Sequence, residues 1–132
     1  QGYLSLSPTC TIRVRLWDDK GYLTVKSKNA HGSIAHFEWE KELTLDEATP
    51  LFALCVSNII EKTRWIVPIA NEEDLFCEVD EFMGVNEGLV LAEVELKTPE
   101  QSFAKPSFLG EEVTNDERYY NSYISKHPFT TW

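Results

Sequence analysis

Apolar and polar residues alternate with a period of two over most of this chain, which is the pattern of half-buried β-strands. The alternation predicts seven strands, at residues 1–6, 11–17, 22–27, 34–43, 59–67, 75–82 and 89–96. Turn-forming residues separate the strands, such as Ser7-Pro8 and the hairpin sequence Asp18-Asp19-Lys20-Gly21. The pattern therefore predicts an α+β domain made mainly of antiparallel strands.

A few short helices are predicted between and after the strands. Thr44 and Glu47 form a capping box ahead of an apolar helical face. The alternative start is Thr49, with Pro50 at the first helical position. Residues 98–103 predict another short helix, and Asn115 or Asp116 is expected to begin a terminal one. These helices are expected to pack on the outside of the sheet.

The charges on the strands are sorted by sign. Residues i and i+2 of a strand face the same way, so each charged stretch has one charged and one apolar face. Three stretches are basic, with Arg13 and Arg15, Lys26, and Lys62 and Arg64; three are acidic, with Glu38 and Glu40, Glu78 and Asp80, and Glu93 and Glu95. Charged faces that look at water are the commoner use of such alternation. Sorting by sign favours instead a barrel whose charges point inward and hold a polyanion through divalent metal.

Composition narrows the class of protein and of partner. The 132 residues fit a single domain, 1–132, that is long enough for a hydrophobic core. A net charge of −10 argues against nucleic acid as a partner, since nucleic-acid binding needs a basic surface. No apolar run approaches the roughly 20 residues that span a bilayer, so no membrane segment is expected. Three widely spaced cysteines lack metal-ligand spacing and suit a reducing, cytoplasmic setting. A monomer or homodimer is expected.

Short motifs along the whole chain resemble the CYTH domain, the triphosphate tunnel metalloenzyme superfamily, and most closely its short bacterial inorganic triphosphatases. The matching motifs are QGYL at residues 1–4, RVR at 13–15, LTVKS at 23–27, FEWE at 37–40, EKTRW at 61–65, EVDEF at 78–82, LVLAEVEL at 89–96, LGEEVT at 109–114 and RYYNSYI at 118–124. The resemblance implies a closed or nearly closed antiparallel β-barrel, a tunnel lined by charged side chains. It also implies hydrolysis of a triphosphate with Mg²⁺ or Mn²⁺.

The chain departs from the family pattern in two places. The resemblance implies an N-terminal strand that carries the family signature ExExK, and that strand is expected upstream of Gln1. His36 stands where relatives carry arginine before the ExE pair. A histidine there could bind phosphate when protonated.

The resemblance assigns roles to the charged residues. Substrate binding is predicted for Arg13, Arg15, Lys26, Lys62, Arg64 and Arg118; metal binding for Glu93, Glu95, Glu38, Glu40 and Asp80; and a catalytic role for Tyr3, Arg64 and Lys26. Arginine suits two phosphate oxygens at once, and Mg²⁺ prefers carboxylate and phosphate oxygens. The alternative is that the basic residues form ordinary ion pairs with Glu38, Glu40 and Asp80 across the strands. Glu93 and Glu95 could equally belong to a solvated strand edge.

Three further predictions carry their own alternatives. The resemblance places Tyr3 near the scissile phosphate as a proton acceptor from water, which requires a lowered pKa. The alternative for Tyr3 is core packing. Arg118 is expected at the tunnel mouth, or else as a surface arginine paired with Asp116 or Glu117. Packing roles are expected for Trp17, Trp39, Trp65 and Phe82.

The leading function is therefore metal-dependent hydrolysis of a triphosphate, with inorganic triphosphate as the expected substrate. Two other readings remain open at this point. A class IV adenylate cyclase or a thiamine triphosphatase would share the tunnel and differ in what lies beyond the triphosphate. A module that binds polyphosphate or a nucleotide without turnover would need no catalytic metal.

Overall fold

The computed structural model describes residues 1–27 and 37–132. Within these residues seven strands form two antiparallel sheets, one with the order β1-β2-β3-β4 and one with the order β5-β6-β7. The strands are β1 Gly2–Leu6, β2 Cys10–Trp17, β3 Lys20–Ser27, β4 Glu38–Leu43, β5 Glu61–Pro68, β6 Phe76–Met83 and β7 Val90–Val94. The predicted class, α+β with mainly antiparallel strands, is confirmed. Residues 34–36, the beginning of the predicted fourth strand, lie outside the described residues.

The two sheets are joined along one edge. The backbone nitrogen of Gln1 donates to the Ile60 carbonyl at 2.6 Å, and Ile60 nitrogen donates back to the Gln1 carbonyl at 2.7 Å. Val56 nitrogen donates to the Tyr3 carbonyl at 2.9 Å. This seam connects β1 to the start of β5. In the described part of the chain, neither sheet closes on itself, and each ends at one open edge, β4 or β7.

Helix α1, Leu45–Phe52, covers the apolar face of the first sheet. Thr44 is its N-cap, because the Thr44 hydroxyl accepts a hydrogen bond from Glu47 nitrogen at 3.2 Å. The start at Thr49 is therefore wrong, and Pro50 lies inside the helix. Ala48 is fully buried against Gly21 of β3, on the same face as Leu23 and Val25.

The chain after β7 forms less regular structure than the pattern predicts. Residues 98–101 form a turn, closed by a hydrogen bond from Gln101 nitrogen to the Thr98 carbonyl, and residues 101–103 have no regular structure, so the predicted helix there is wrong. The terminal helix does begin at Asp116, whose carboxylate accepts from Arg118 nitrogen. It breaks at Tyr120 into a 3₁₀ turn, Glu117–Tyr119, and α2, Asn121–Ile124. A last 3₁₀ turn spans Phe129–Thr131. No helix in the described chain is long and apolar enough to cross a bilayer.

Two hydrophobic clusters hold the sheets in place. One cluster lies between the two sheets and combines residues of both with the terminal helix: Tyr3, Ile60, Phe82, Leu89 and Ile124. The other lies on the far face of the second sheet, where Leu96, Phe103 and Leu109 of the C-terminal segment cover Cys77. Helix α1 and the C-terminal segment thus cover parts of the apolar faces from outside, and the charged faces of the two sheets share a space between them.

Candidate functional site

A cavity of about 780 Å³ lies between the charged faces of the two sheets. Arg13 and Arg15 of β2 line it from one side, and Lys62 and Arg64 of β5, with Glu93 of β7, from the other. Its remaining lining residues are Gln1, Leu16, Trp17, Asp18, Phe52, Ile59, Ile60, Glu61, Thr63, Met83 and Asn121. Five of the predicted site residues therefore share one cavity, although they come from three strands of two sheets.

On the second sheet the basic residues are locked by carboxylates of the neighbouring strand. Arg64 lies opposite Asp80 in the ladder, and its Nε and Nη2 donate to the two Asp80 oxygens at 2.7 and 2.8 Å. Arg64 Nη1 donates to Glu78, and Lys62 Nζ donates to Asp80 Oδ2 at 2.5 Å. Asp80 is 1% exposed, so its carboxylate is almost completely excluded from water. The predicted cross-strand ion pairs are present here.

The pKa values of this group follow from the pairing. Burial by itself would raise the pKa of Asp80, but the hydrogen bonds from Arg64 and Lys62 outweigh burial and hold it below its usual value. The hydrogen bond with Asp80 holds the pKa of the Arg64 guanidinium above its usual value, and the charges of Glu78 and Glu93 add to this effect. Asp80 is therefore an anion whose two oxygens both accept hydrogen bonds from basic side chains, and its predicted role as a metal ligand stays a prediction.

On the first sheet the arginines are not locked by carboxylates. Glu40 is the nearest acid to Arg15, at 3.8 Å from Nη2, and its Oε2 accepts a bond from Thr24 at 2.8 Å. The Nε atoms of Arg13 and Arg15 are buried, and neither has a hydrogen-bond partner among residues 1–27 and 37–132. Burial lowers the pKa of Arg15, and the charges of Arg13 and Arg64 lower it further. Crowded, partly desolvated cations with free donors make this side of the cavity a place for an anion.

Lys26 lies outside the set of residues that line the cavity. Its Nζ is 3.7 Å from Glu38, which faces it across β3 and β4, and both side chains are about half exposed. Glu38 and Glu40 of the edge strand β4 thus lie near Lys26 of β3 and Arg15 of β2, respectively. The predicted roles of Lys26 in substrate binding and catalysis stay predictions. Its observed position is the one that the alternative, an ion pair across the strands, describes.

The carboxylates predicted to bind metal are spread out. Glu93 lines the cavity and lies opposite Glu78 in the ladder. Glu95 is exposed beyond the end of β7, because the strand stops at Val94. In the described chain no three His, Cys, Asp or Glu side chains converge as a metal-binding group. The site offers Glu93, with Glu78 across the ladder, close to the basic side chain of Arg64. Such a site fits a divalent metal ion that takes its remaining ligands from phosphate oxygens.

Tyr3 packs in the hydrophobic cluster between the sheets. It lies opposite Arg13 in the ladder and belongs to the same buried cluster as Ile60 and Phe82. Burial raises the pKa of Tyr3, and the charge of Arg13 offsets burial only in part. The expected lowering of this pKa is therefore wrong, and the core-packing alternative describes the observed surroundings of the ring.

Arg118 is a surface residue bound to its neighbour in sequence. Its Nε and Nη2 contact the Asp116 carboxylate at 2.9 and 2.5 Å, and its guanidinium lies 5.8 Å from the rings of Tyr119 and Trp132. It is not among the residues that line the cavity. The surface-pair alternative thus accounts for its position, and a role in substrate binding stays a prediction. His36 lies outside the described residues.

Aromatic residues at the cavity were not predicted as part of the site. Trp17, expected to have a packing role, is 46% exposed and lines the cavity beside Arg15, and the Tyr22 ring also lies close to the guanidinium of Arg15. Trp39 and Trp65 are also exposed, whereas Phe82 is buried as expected. The sequence does hold a signal for Trp17, since it is two residues from Arg15 and so shares its face of β2.

Comparison with known proteins gives the same family as the motifs. No protein-family model matches the chain. An inorganic triphosphatase of Acetivibrio thermocellus is 43% identical over 130 residues, which cover 98% of this chain and 80% of that protein. An inorganic triphosphatase of Nitrosomonas europaea is 33% identical over 129 residues, covering 95% and 82%.

A solved structure is similar as well. The crystal structure of the inorganic triphosphatase NE1496 matches 94% of this chain and 81% of its own chain, with a TM-score of 0.71 and 29% sequence identity. The resemblance found in the motifs thus extends to the whole sequence and to the backbone, and this chain belongs to the CYTH-like inorganic triphosphatase family.

Proposed function

We propose that this protein hydrolyses inorganic triphosphate in the cavity between its two sheets. The observation that carries the proposal is that Arg13, Arg15, Lys62 and Arg64, from two separate sheets, line one cavity together with Glu93. A linear triphosphate carries several negative charges, so its cleavage needs cations along its whole length. The names of the two related proteins give the substrate, since both are inorganic triphosphatases.

The two sheets are proposed to act as the walls of a tunnel. The seam between Gln1 and Ile60 supports this arrangement, because it joins the sheets along one edge while their charged faces stay turned toward each other. The edge strands β4 and β7 have no partner strand in the described chain, and closing the barrel would bring these two edges toward each other. A closed barrel is the family architecture that this arrangement would complete.

The two sides of the cavity are proposed to have different tasks. Arg13 and Arg15, which line the cavity and are not locked by carboxylates in the described chain, bind the phosphate oxygens directly through the terminal N–H groups of their guanidinium groups. Lys62 and Arg64 are held in place by Asp80 and neutralise the charge that develops as the terminal phosphoryl group leaves. Water attacks that phosphorus in line with the breaking bond, and pyrophosphate takes up the negative charge.

Mg²⁺ or Mn²⁺ is proposed as the cofactor. Glu93 would hold it, with Glu78 as its neighbour across the ladder and phosphate oxygens as the remaining ligands. A bound divalent ion supplies charge neutralisation at the phosphates and a more acidic water. The further predicted ligands are placed differently: Glu38, Glu40 and Asp80 pair with basic residues, and Glu95 lies beyond the end of β7.

The test is release of phosphate from inorganic triphosphate by the full-length gene product, with Mg²⁺ or Mn²⁺ and with chelator. Arg64→Ala and Glu93→Ala are each expected to lower kcat/KM by about 100-fold or more, since each removes a charge at the reacting group. Lys41→Ala is the control, because Lys41 is an exposed cation on the opposite face of β4. Full activity in both cavity variants would contradict the proposed site.

The same assay separates the competing functions. Incubation with ATP yields cyclic AMP and pyrophosphate if the protein is a cyclase, but phosphate if it is a hydrolase. Tight binding of triphosphate without any phosphate release would show a binding module. Hydrolysis of thiamine triphosphate with a far higher kcat/KM than inorganic triphosphate would replace the proposed substrate.

A further inference from the structure

The guanidinium of Arg15 is in contact with two aromatic rings on the cavity side of the first sheet. Its Cζ lies 5.1 Å from the centre of the Trp17 ring and 5.4 Å from the centre of the Tyr22 ring. Strand geometry produces both contacts. Trp17 follows Arg15 by two residues on β2, and Tyr22 is the residue directly opposite Arg15 on β3.

These rings do for Arg15 what carboxylates do for Arg64. Arg64 uses Nε, Nη1 and Nη2 on Asp80 and Glu78, so its position is fixed at the expense of its free donors. A ring contacts the flat face of a guanidinium and leaves the N–H groups at its edge free. Arg15 has its nearest carboxylate oxygen 3.8 Å away, and its buried Nε has no partner in the described chain.

The positive charges of Arg13 and Arg64 repel the guanidinium of Arg15, so a favourable contact is needed to keep it in the cavity. Arg13 and Arg64 share the cavity with it, and both of their charges disfavour the charged form of Arg15. Arg15 lies near the end of β2, where Trp17 is partly exposed to water. Without the two rings, its long side chain could therefore turn its charged group toward water. Attraction between the cation and the ring faces is strongest where water is partly excluded, as it is here.

We infer that Trp17 and Tyr22 are positioning residues that hold the Arg15 guanidinium in the cavity with its hydrogen-bonding edge free for the phosphates of the substrate. The inference rests on the proposed function for the identity of the anion. Neither aromatic residue touches the reacting atoms. They act through Arg15, and their loss weakens binding of the triphosphate while the chemical step continues.

The first experiment measures steady-state hydrolysis of inorganic triphosphate by the full-length protein with Trp17→Leu and with Tyr22→Leu. Each is expected to raise KM about five- to tenfold, with kcat within about twofold of wild type, because uniform binding is lost. Tyr22→Phe and Trp17→Phe keep a ring and are expected to restore most of the affinity. Trp65→Leu is the matched control, since Trp65 is an exposed tryptophan on the opposite face of the second sheet.

A double-mutant cycle separates positioning from general damage. In an Arg15→Met background, Trp17→Leu is expected to change KM by less than about twofold, because the residue through which it acts is gone. The same five- to tenfold increase with and without Arg15 would overturn the inference. So would an equal fall of kcat in Trp17→Leu and Trp17→Phe.

A second measurement does not depend on the substrate. The sequence has four arginines, so their Nε–H signals are few enough in a ¹⁵N-labelled sample for Arg15→Lys to identify that of Arg15. This signal is expected to be shifted upfield by the rings in the wild type, and to move toward the ordinary arginine position in Trp17→Leu and Tyr22→Leu. An unchanged Arg15 signal in both variants overturns the positioning role. A wild-type protein that fails to hydrolyse triphosphate but shows these shifts contradicts the proposed function alone.

Discussion

At the scale of single residues, Asp80 is the side chain on which the second sheet's cations depend. It is buried, and it accepts hydrogen bonds from Lys62 and Arg64 through both carboxylate oxygens. Removing one partner of a buried ion pair leaves the other charge without compensation. Asp80 thus links the geometry of the cavity to the stability of the fold.

Asp80→Asn is expected to lower the free energy of unfolding by about 3 kcal/mol at pH 7, measured by urea denaturation. Burial opposes the charged form, but the bonds from Arg64 and Lys62 prevail, and the pKa in the folded protein lies below the ordinary value of 3.8. The stabilisation is therefore complete above pH 3.8 and is lost as pH falls through the lower pKa of the folded state. The difference between wild type and variant should shrink under acid conditions.

The control for this prediction is Glu81→Gln. Glu81 is the next residue of β6, and it is exposed on the other face of the strand. We expect it to change the free energy of unfolding by less than about 0.5 kcal/mol. An equal loss of stability in the two variants would contradict the role of Asp80.

The sequence predicted the members of the charged site better than their partners. Sign sorting on strands located Arg13, Arg15, Lys62, Arg64 and Glu93, because the i, i+2 rule fixes which side chains share a face. It could not show that Asp80 would be used up by two cations, since that depends on the register of β5 against β6. The pKa of Tyr3 was mispredicted for a similar reason, because burial outweighs the nearby charge of Arg13.

At the scale of elements, the contact between α1 and the first sheet depends on a small residue on each side. Gly21 of β3 and Ala48 of α1 meet so closely that a Cβ built on Gly21 would lie 2.6 Å from the Cβ of Ala48. Ala48 is fully buried and cannot move aside without moving the helix. The two residues therefore set the distance between helix and sheet.

Gly21→Ala is expected to destabilise the protein by about 1–3 kcal/mol, since overpacking forces the backbone to shift. Thermal or urea unfolding measures the loss. Gly110→Ala is the matched control, because no atom lies within 4 Å of the Cβ that it would add. A Gly21→Ala variant as stable as Gly110→Ala would show that the helix adapts without cost.

Elements with a strong local signal were predictable, and elements that depend on distant packing were not. The capping pair of Thr44 and Glu47 located the start of α1 despite Pro50. The helix expected at residues 98–103 is wrong, because the chain makes only a turn there and then brings Phe103 onto the outer face of the second sheet. The terminal helix broke at Tyr120, whose backbone is extended.

At the scale of the whole molecule, one cluster ties the two sheets and the C-terminus together. Ile124 of α2 is fully buried against Tyr3 from the first sheet and Phe82 from the second. Asn58 adds a polar tie, because its backbone nitrogen and Nδ2 both donate to the Ser125 carbonyl at 3.0 Å. The two sheets are therefore expected to unfold as one unit.

Ile124→Ala is expected to cost about 3 kcal/mol through the loss of buried methyl groups and the cavity left behind. Amide hydrogen exchange should then speed up by about a hundredfold in β2–β3 and in β5–β6 alike. Leu54→Ala is the control, since Leu54 is 65% exposed. Faster exchange confined to one sheet would show that the sheets are separate folding units.

The ion pairs in the cavity also decide whether the side-chain entropy of its basic residues is lost during folding or during ligand binding. A free lysine or arginine side chain gives up about 2 kcal/mol of rotamer entropy when it is immobilised. Asp80 and Glu78 already hold Lys62 and Arg64 before any ligand arrives. That entropy is lost once, during folding, and an incoming polyanion meets preorganised charges. Lys62 and Arg64 therefore need no further ordering when the polyanion binds.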